Sequence, residues 1–127
     1  MGGLVSERKL LPDRVLCSTA TRARETLELF AEGANFSGPI EFLDELYLAE
    51  PDAIVRAIQA YGKEARRVMV VGHNPGLEGL VADLTAERTD LPTAAFVECS
   101  LPIESWQKLD IETAGRVRSI FRPKDER

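Results

Sequence analysis

The sequence is poor in the residues that build metal centres and disulfide frameworks. It has one histidine, His73, and two cysteines, Cys17 and Cys99, in 127 residues. The two cysteines stand far apart in apolar surroundings, with no ligand-like spacing. That excludes a disulfide scaffold and a clustered zinc site, and it suits a reducing compartment. Aromatic residues make up only 6% of the chain, and acidic residues outnumber basic ones 21 to 16, for a formal net charge of -5. This balance argues against general nucleic-acid binding, so an anion site would have to be built locally against the overall field. No stretch approaches the ~20 apolar residues that span a bilayer. The opening "MGGLVSERKLLPDR" also lacks the apolar core of a signal peptide. The expectation is a cytoplasmic protein with no nucleic-acid and no membrane partner.

The chain is 44% hydrophobic and 29% charged, which fits one globular domain over residues 1–127 with a genuine core. Strand and helix signals alternate along it. "RVLCS" (Arg14 to Ser18) is a short apolar run ending at a good N-cap residue. The following stretch places Ala20, Ala23, Leu27 and Phe30 at helical spacing and is expected to stop at Gly33. "PIEFL" (Pro39 to Leu43) reads as a second strand. A helix then opens on Pro51, carries Ile54, Ile58 and Tyr61 on one face, and ends at Gly62. "RVMVV" (Arg67 to Val71) suits a strand covered on both faces. After "GHNPG", Leu77, Leu80, Val81 and Leu84 trace a further helix, and "AAFVEC" and "RVRSIF" read as two weaker strands. The alternation predicts an α/β fold, a mostly parallel sheet with helices on both faces.

Such sheets bind ligands in the crevice beyond the carboxyl ends of their strands. Two strand-to-helix turns fall on that edge, one carrying "STATRAR" and the other "GHNPG". The first opens a helix, where free N–H groups and the dipole favour an anion, and Arg22 could add a planar fork of donors. The competing reading is a Ser18 helix cap with solvated arginines. In the second turn, His73 follows Gly72 at the strand end, and Pro75 and Gly76 turn the chain tightly. A histidine there could donate to a phosphate oxygen or shuttle a proton; packing at a turn is the alternative. Cys17 does not fit a cysteine-dependent phosphatase. That loop needs Cys-x5-Arg, and position 23 is alanine. Burial in an apolar strand would also leave the thiol inert.

In one order along the chain stand "LCSTATRARETLELF", "LDELYLAEP", "VMVVGHNPGLEGL", "LPTAA" and "FRPKD". Together they resemble the histidine phosphatase (phosphoglycerate mutase-like) superfamily, and within it the small SixA-like phosphohistidine phosphatases, over nearly the whole chain. The resemblance implies a three-layer fold of the phosphoglycerate mutase type. It implies that Arg22 grips the phosphoryl group and that His73 is the second histidine, binding the phosphoryl oxygens, with Ser18 and Asn74 beside them as substrate-binding residues. Glu45 falls where larger members often place an acid–base glutamate, although Ala49 stands where those members commonly have glycine. An exposed carboxylate after a strand is the competing reading of Glu45. The resemblance further implies phosphoryl transfer through phosphohistidine without metal or cofactor, acting on a phosphohistidine protein or a small phosphate ester.

One departure bears on activity. Members of the superfamily begin with a strand ending in Arg-His-Gly or Arg-His-Ala, whose histidine is phosphorylated during turnover, and this sequence contains neither. By comparison, the first strand, the nucleophile and the start of the first helix are missing. The expectation is therefore an N-terminally incomplete domain from a truncated reading of a longer gene, with hydrolysis weak or absent. The missing strand would leave backbone edges unpaired, which a homo-oligomer could cover. A non-catalytic phosphate or phosphoprotein binder, and a structural subunit completed by a partner's strand, are the rival readings.

Overall fold

The computed structural model describes residues 11–91, 95–110 and 112–121. Residues 1–10, where part of a first helix is expected, the centre of "LPTAA" and residues 122–125 of "FRPKD" lie outside the described residues. Strand β1 (Arg14–Ser18) is followed by helix α1 (Thr21–Ala34) and strand β2 (Ile40–Leu43). A 3-10 turn (Asp44–Leu46) leads into helix α2 (Pro51–Tyr61), strand β3 (Val68–Val71) and helix α3 (Gly76–Thr85). Strand β4 (Phe96–Ser100), a second 3-10 turn (Trp106–Lys108) and strand β5 (Arg116–Phe121) complete the order.

The first three strands form a parallel sheet in the order β2-β1-β3. Its central strand explains the layering. Side chains alternate across a strand, so Val15 and Cys17 enter one core with Ala23, Leu27, Phe30 and Ala34 of α1. Leu16 points the other way, into a second core with Ile54, Val55 and Ile58 of α2 and Leu80 and Leu84 of α3. Helices therefore cover both faces, as the alternating pattern predicts. Strands β4 and β5 form a separate antiparallel pair, with an irregularity between Glu98 and Cys99. It is tied to α3 by the Gly115 N–H, which donates to the Leu84 carbonyl at 2.6 Å.

Two local expectations change. Helix α1 runs through Gly33 and ends at Asn35, whose left-handed backbone (φ 55°) returns its N–H to the Ala31 and Glu32 carbonyls. Glycine weakens a helix without forbidding it, whereas asparagine tolerates the left-handed cap. Ser18 is not the cap of α1; Ala20 occupies that position with no side-chain bond. Strand β3 does have both faces covered, with Val68 and Val70 packed against the α2–α3 core and Met69 and Val71 in the α1 core, although Val68, Met69 and Val70 are only half-buried. Among the described residues its one strand partner is β1, and its other edge lines a cavity of about 1220 Å³ that Phe96–Ser100 of β4 also lines.

Gly76, the first residue of α3, can lie directly against the turn that leads into α2 because it has no side chain. A Cβ there would collide with the Ala49 carbonyl oxygen. Gly76→Ala is expected to lower unfolding free energy by about 1–3 kcal/mol in urea titrations, and an unchanged midpoint would refute this packing account. Burial on the α1 side also pushes the Cys17 thiol up from 9.0 to about 11, the Arg24 charge offsetting part of the effect. Below pH 9 both states hold the proton; from 9 towards 11 the unfolded chain releases it while the fold retains it. Stability should therefore decline as pH rises through that window. The decline, followed by urea unfolding at successive pH values, should be shallower in Cys17→Ala.

Candidate active site

The site follows from the pairing of β1 with β3. Cys17 lies opposite Val71 in parallel register, so the two strands end side by side, and Ser18 and His73 follow at that edge. His73 Nε2 lies 2.8 Å from Ser18 Oγ. Ser18 has no exposed surface, and its Oγ also accepts the Ala20 N–H at 3.2 Å. The His73 carbonyl accepts the Leu77 N–H at 3.0 Å, which starts the turn into α3. Tyr47 meets the imidazole edge-on, with centroids 5.6 Å apart and the rings 73° from coplanar.

Arg22 and Arg24 are separated by their surroundings. Arg24 Nε donates to the Thr19 carbonyl at 3.1 Å, and its guanidinium lies 4.5 Å from the centroid of Phe42. Arg22, in the first turn of α1, lines the same cavity as Gly72, His73 and Asn74. That turn contains no acidic residue, and no ion pair holds Arg22 among the described residues. Its fork of donors is therefore available to an anion.

Asn74 also lines this cavity, yet its side chain serves the turn. Its amide donates to the Leu91 carbonyl at 2.6 Å, and its Oδ1 accepts the Glu78 N–H at 3.3 Å. The Glu78 carboxylate accepts the Leu91 N–H at 2.7 Å, so Leu91 is held from both sides. Glu45 is exposed and lines a separate hollow of about 320 Å³ with Arg56 and Tyr61. The structure thus brings Ser18, Arg22, His73 and Asn74 together around one cavity or its wall and leaves Glu45 outside.

Sequence reasoning missed Tyr47 and Leu48, which stand 56% and 67% exposed beside this cavity. Leu48 has a left-handed backbone (φ 50°), uncommon for a residue with a side chain. The available signal was an apolar Leu46-Tyr47-Leu48 run just beyond Asp44 and Glu45, in a connection where polar turn residues are usual. Among the described residues, no group of histidine, cysteine, aspartate and glutamate could hold a metal ion. What the arrangement can do is bind an oxyanion, with charge and bidentate donors from Arg22 and a hydrogen bond from His73.

No protein-family profile matches the chain. Among curated proteins it is 31% identical over 114 residues to the uncharacterized protein ML1117 of Mycobacterium leprae, covering 83% of this chain and 68% of that protein. It is 32% identical over 102 residues to the uncharacterized protein Rv1276c of Mycobacterium tuberculosis, covering 80% of this chain and 62% of that protein. The chain thus spans roughly two thirds of these relatives' length. Among solved structures it superposes on a protein designated phosphohistidine phosphatase SixA from Agrobacterium tumefaciens, with a TM-score of 0.78 and 26% identity over 96% of this chain and 75% of that one. The SixA counterpart from Nakamurella multipartitia gives a TM-score of 0.79 at 25% identity, over 96% and 79% of the two chains. A protein histidine phosphatase SixA complexed with tungstate shares the fold, with a TM-score of 0.80 at 24% identity over 99% and 78%. By sequence the chain belongs to the family of ML1117, and by structure it has the SixA-type fold of the histidine phosphatase superfamily.

Proposed function

We propose that this chain is part of a phosphohistidine phosphatase-like protein in which Arg22 and His73 hold the phosphoryl group, the nucleophilic histidine lying outside these 127 residues. The observation that carries this reading is the placement of Arg22 and His73 on one cavity, at the ends of neighbouring parallel strands. Phosphoryl transfer depends chiefly on positioning and on neutralising oxygen charge. Arg22 supplies a fixed cation with paired donors, and His73 adds a hydrogen bond to another oxygen. In the complete reaction a second histidine attacks phosphorus, forming a P–N bond as the leaving group departs, and water then hydrolyses the phosphohistidine.

His73 is the chain's sole histidine, and Ser18 already engages its Nε2. That favours a holding role over a nucleophilic one. The cavity lined by β3 and β4, strands that pair only with β1 and β5 among the described residues, supports the further reading that a strand bearing the nucleophile seats there, since strand edges carry backbone groups suited to pairing. The substrate class is a phosphohistidine in a cytoplasmic protein, or a small phosphate ester. A phosphate-binding domain without turnover is the second reading, and the single histidine is what favours it.

The test is metal-free turnover on an aryl phosphate and on a phosphohistidine protein, alongside phosphate affinity measured by calorimetry. The 127-residue chain should bind phosphate without hydrolysing either substrate. Arg22→Ala should weaken phosphate binding roughly tenfold to a hundredfold, the worth of a charge-assisted hydrogen bond. Robust hydrolysis that disappears in His73→Ala would overturn the assignment of His73 as a holding residue. A version extended upstream to an in-frame Arg-His-Gly or Arg-His-Ala should gain turnover. Binding without turnover in both versions would establish the second reading.

A further inference from the structure

We infer that Ser18 is a positioning residue that holds neutral His73 in its Nδ1–H tautomer, so that Nδ1 is the nitrogen offering a proton to the ligand. The inference comes from counting donors and acceptors at one buried oxygen. A serine hydroxyl has one proton to give and two lone pairs to receive. The Ser18 side chain has no exposed surface, so bulk water cannot meet its needs. Among the described residues, Oγ meets two polar groups: the Ala20 backbone N–H at 3.2 Å and His73 Nε2 at 2.8 Å.

The Ala20 contact has one sense only, because a backbone N–H donates. The contact with His73 can run either way. If Nε2 carried the proton, it would donate to Ser18 Oγ. That oxygen would then accept twice, and its own proton would face no acceptor among the described residues. If Nε2 is bare, the Ser18 hydroxyl donates to it, Oγ accepts from Ala20, and every group in the trio is satisfied. A buried donor without an acceptor shifts an equilibrium by roughly tenfold or more. The satisfied arrangement therefore prevails, and the ring proton resides on Nδ1.

The other ring nitrogen has no hydrogen-bond partner among the described residues, and His73 lines the cavity that Arg22 shares. A neutral imidazole fixed in this way presents a donor to an oxyanion rather than a lone pair. The tautomer assignment stands on the geometry of Ser18 alone. The statement that Nδ1–H meets a phosphoryl oxygen rests on the function proposed above. Ser18 would act on the ligand only through the ring.

A single histidine makes the test direct, because two-bond proton–nitrogen correlation spectra of the 15N-labelled chain contain one imidazole system. With the ring neutral, wild-type His73 should show a protonated Nδ1 and a bare Nε2. Ser18→Ala should move the population towards Nε2–H by roughly tenfold, with the fold checked by the amide spectrum. A purely structural role for Ser18 would leave the tautomer unchanged. Adding inorganic phosphate to the wild type should shift the Nδ1 proton and leave Nε2 near its starting value. An Nε2–H form in the wild type would overturn the inference whether or not the variant folds, as would an unchanged tautomer in folded Ser18→Ala. A wild-type Nδ1–H that ignores millimolar phosphate would uphold the tautomer and count instead against the phosphoryl site.

Discussion

The pairing of β1 with both neighbours, in parallel, is the constraint on which the rest of the structure depends. Because β1 lies between β2 and β3, all three strands end on one side, and each is followed there by a turn. The register that sets Cys17 against Val71 brings Ser18 within hydrogen-bond distance of a residue 55 positions later in the chain. A slip of one residue would reverse which side chains of β1 face α1 and which face α2 and α3. It would also carry Ser18 out of reach. The two cores and the site are therefore specified by the same backbone ladder.

The site is assembled against the molecule's overall charge. Its formal net charge of -5 gives an anion no long-range attraction, so the phosphate recognition proposed above must rest on local arrangement. Arg24 is occupied by the Thr19 carbonyl and the face of Phe42, which leaves Arg22 as the arginine of the first turn of α1 that lines the cavity. The acidic side chains near the turn have their own tasks. Asp44 accepts the Thr19 hydroxyl at 2.7 Å, and Glu78 accepts the Leu91 N–H. Their hydrogen bonds fix loops around the cavity.

Much of this architecture was legible in the residues. β1 spans Arg14–Ser18, the full length of its apolar run, and α2 runs from Pro51 to Tyr61 before Gly62. Those limits are set locally, by a proline that suits a first turn and a glycine that suits a stop. Gly33 misled because propensity is weak beside the buried stripe of Ala23, Leu27, Phe30 and Ala34, which draws α1 on for another residue. Local sequence could not show that the Ser18 hydroxyl turns to His73, since that contact depends on the sheet register. The apolar run in β3 did signal a strand covered on both faces, but not that its second edge would line a cavity, because the residues across that cavity are distant in sequence. Arg22 and His73 were readable from turn chemistry and from the family resemblance. Tyr47 and Leu48 were hidden because exposed apolar residues gain meaning only once the cavity is placed.

The separate β4–β5 pair has a consequence for how the cavity is walled. A two-stranded ribbon is marginal on its own, and here it leans on α3 through the Gly115–Leu84 hydrogen bond. No strand hydrogen bonds join it to the three-stranded sheet among the described residues. Residues of β3 and β4 line the same cavity, so one of its walls is set by the sheet that aligns Ser18 with His73 and another by a ribbon whose position depends on side-chain packing and α3 rather than on a shared ladder.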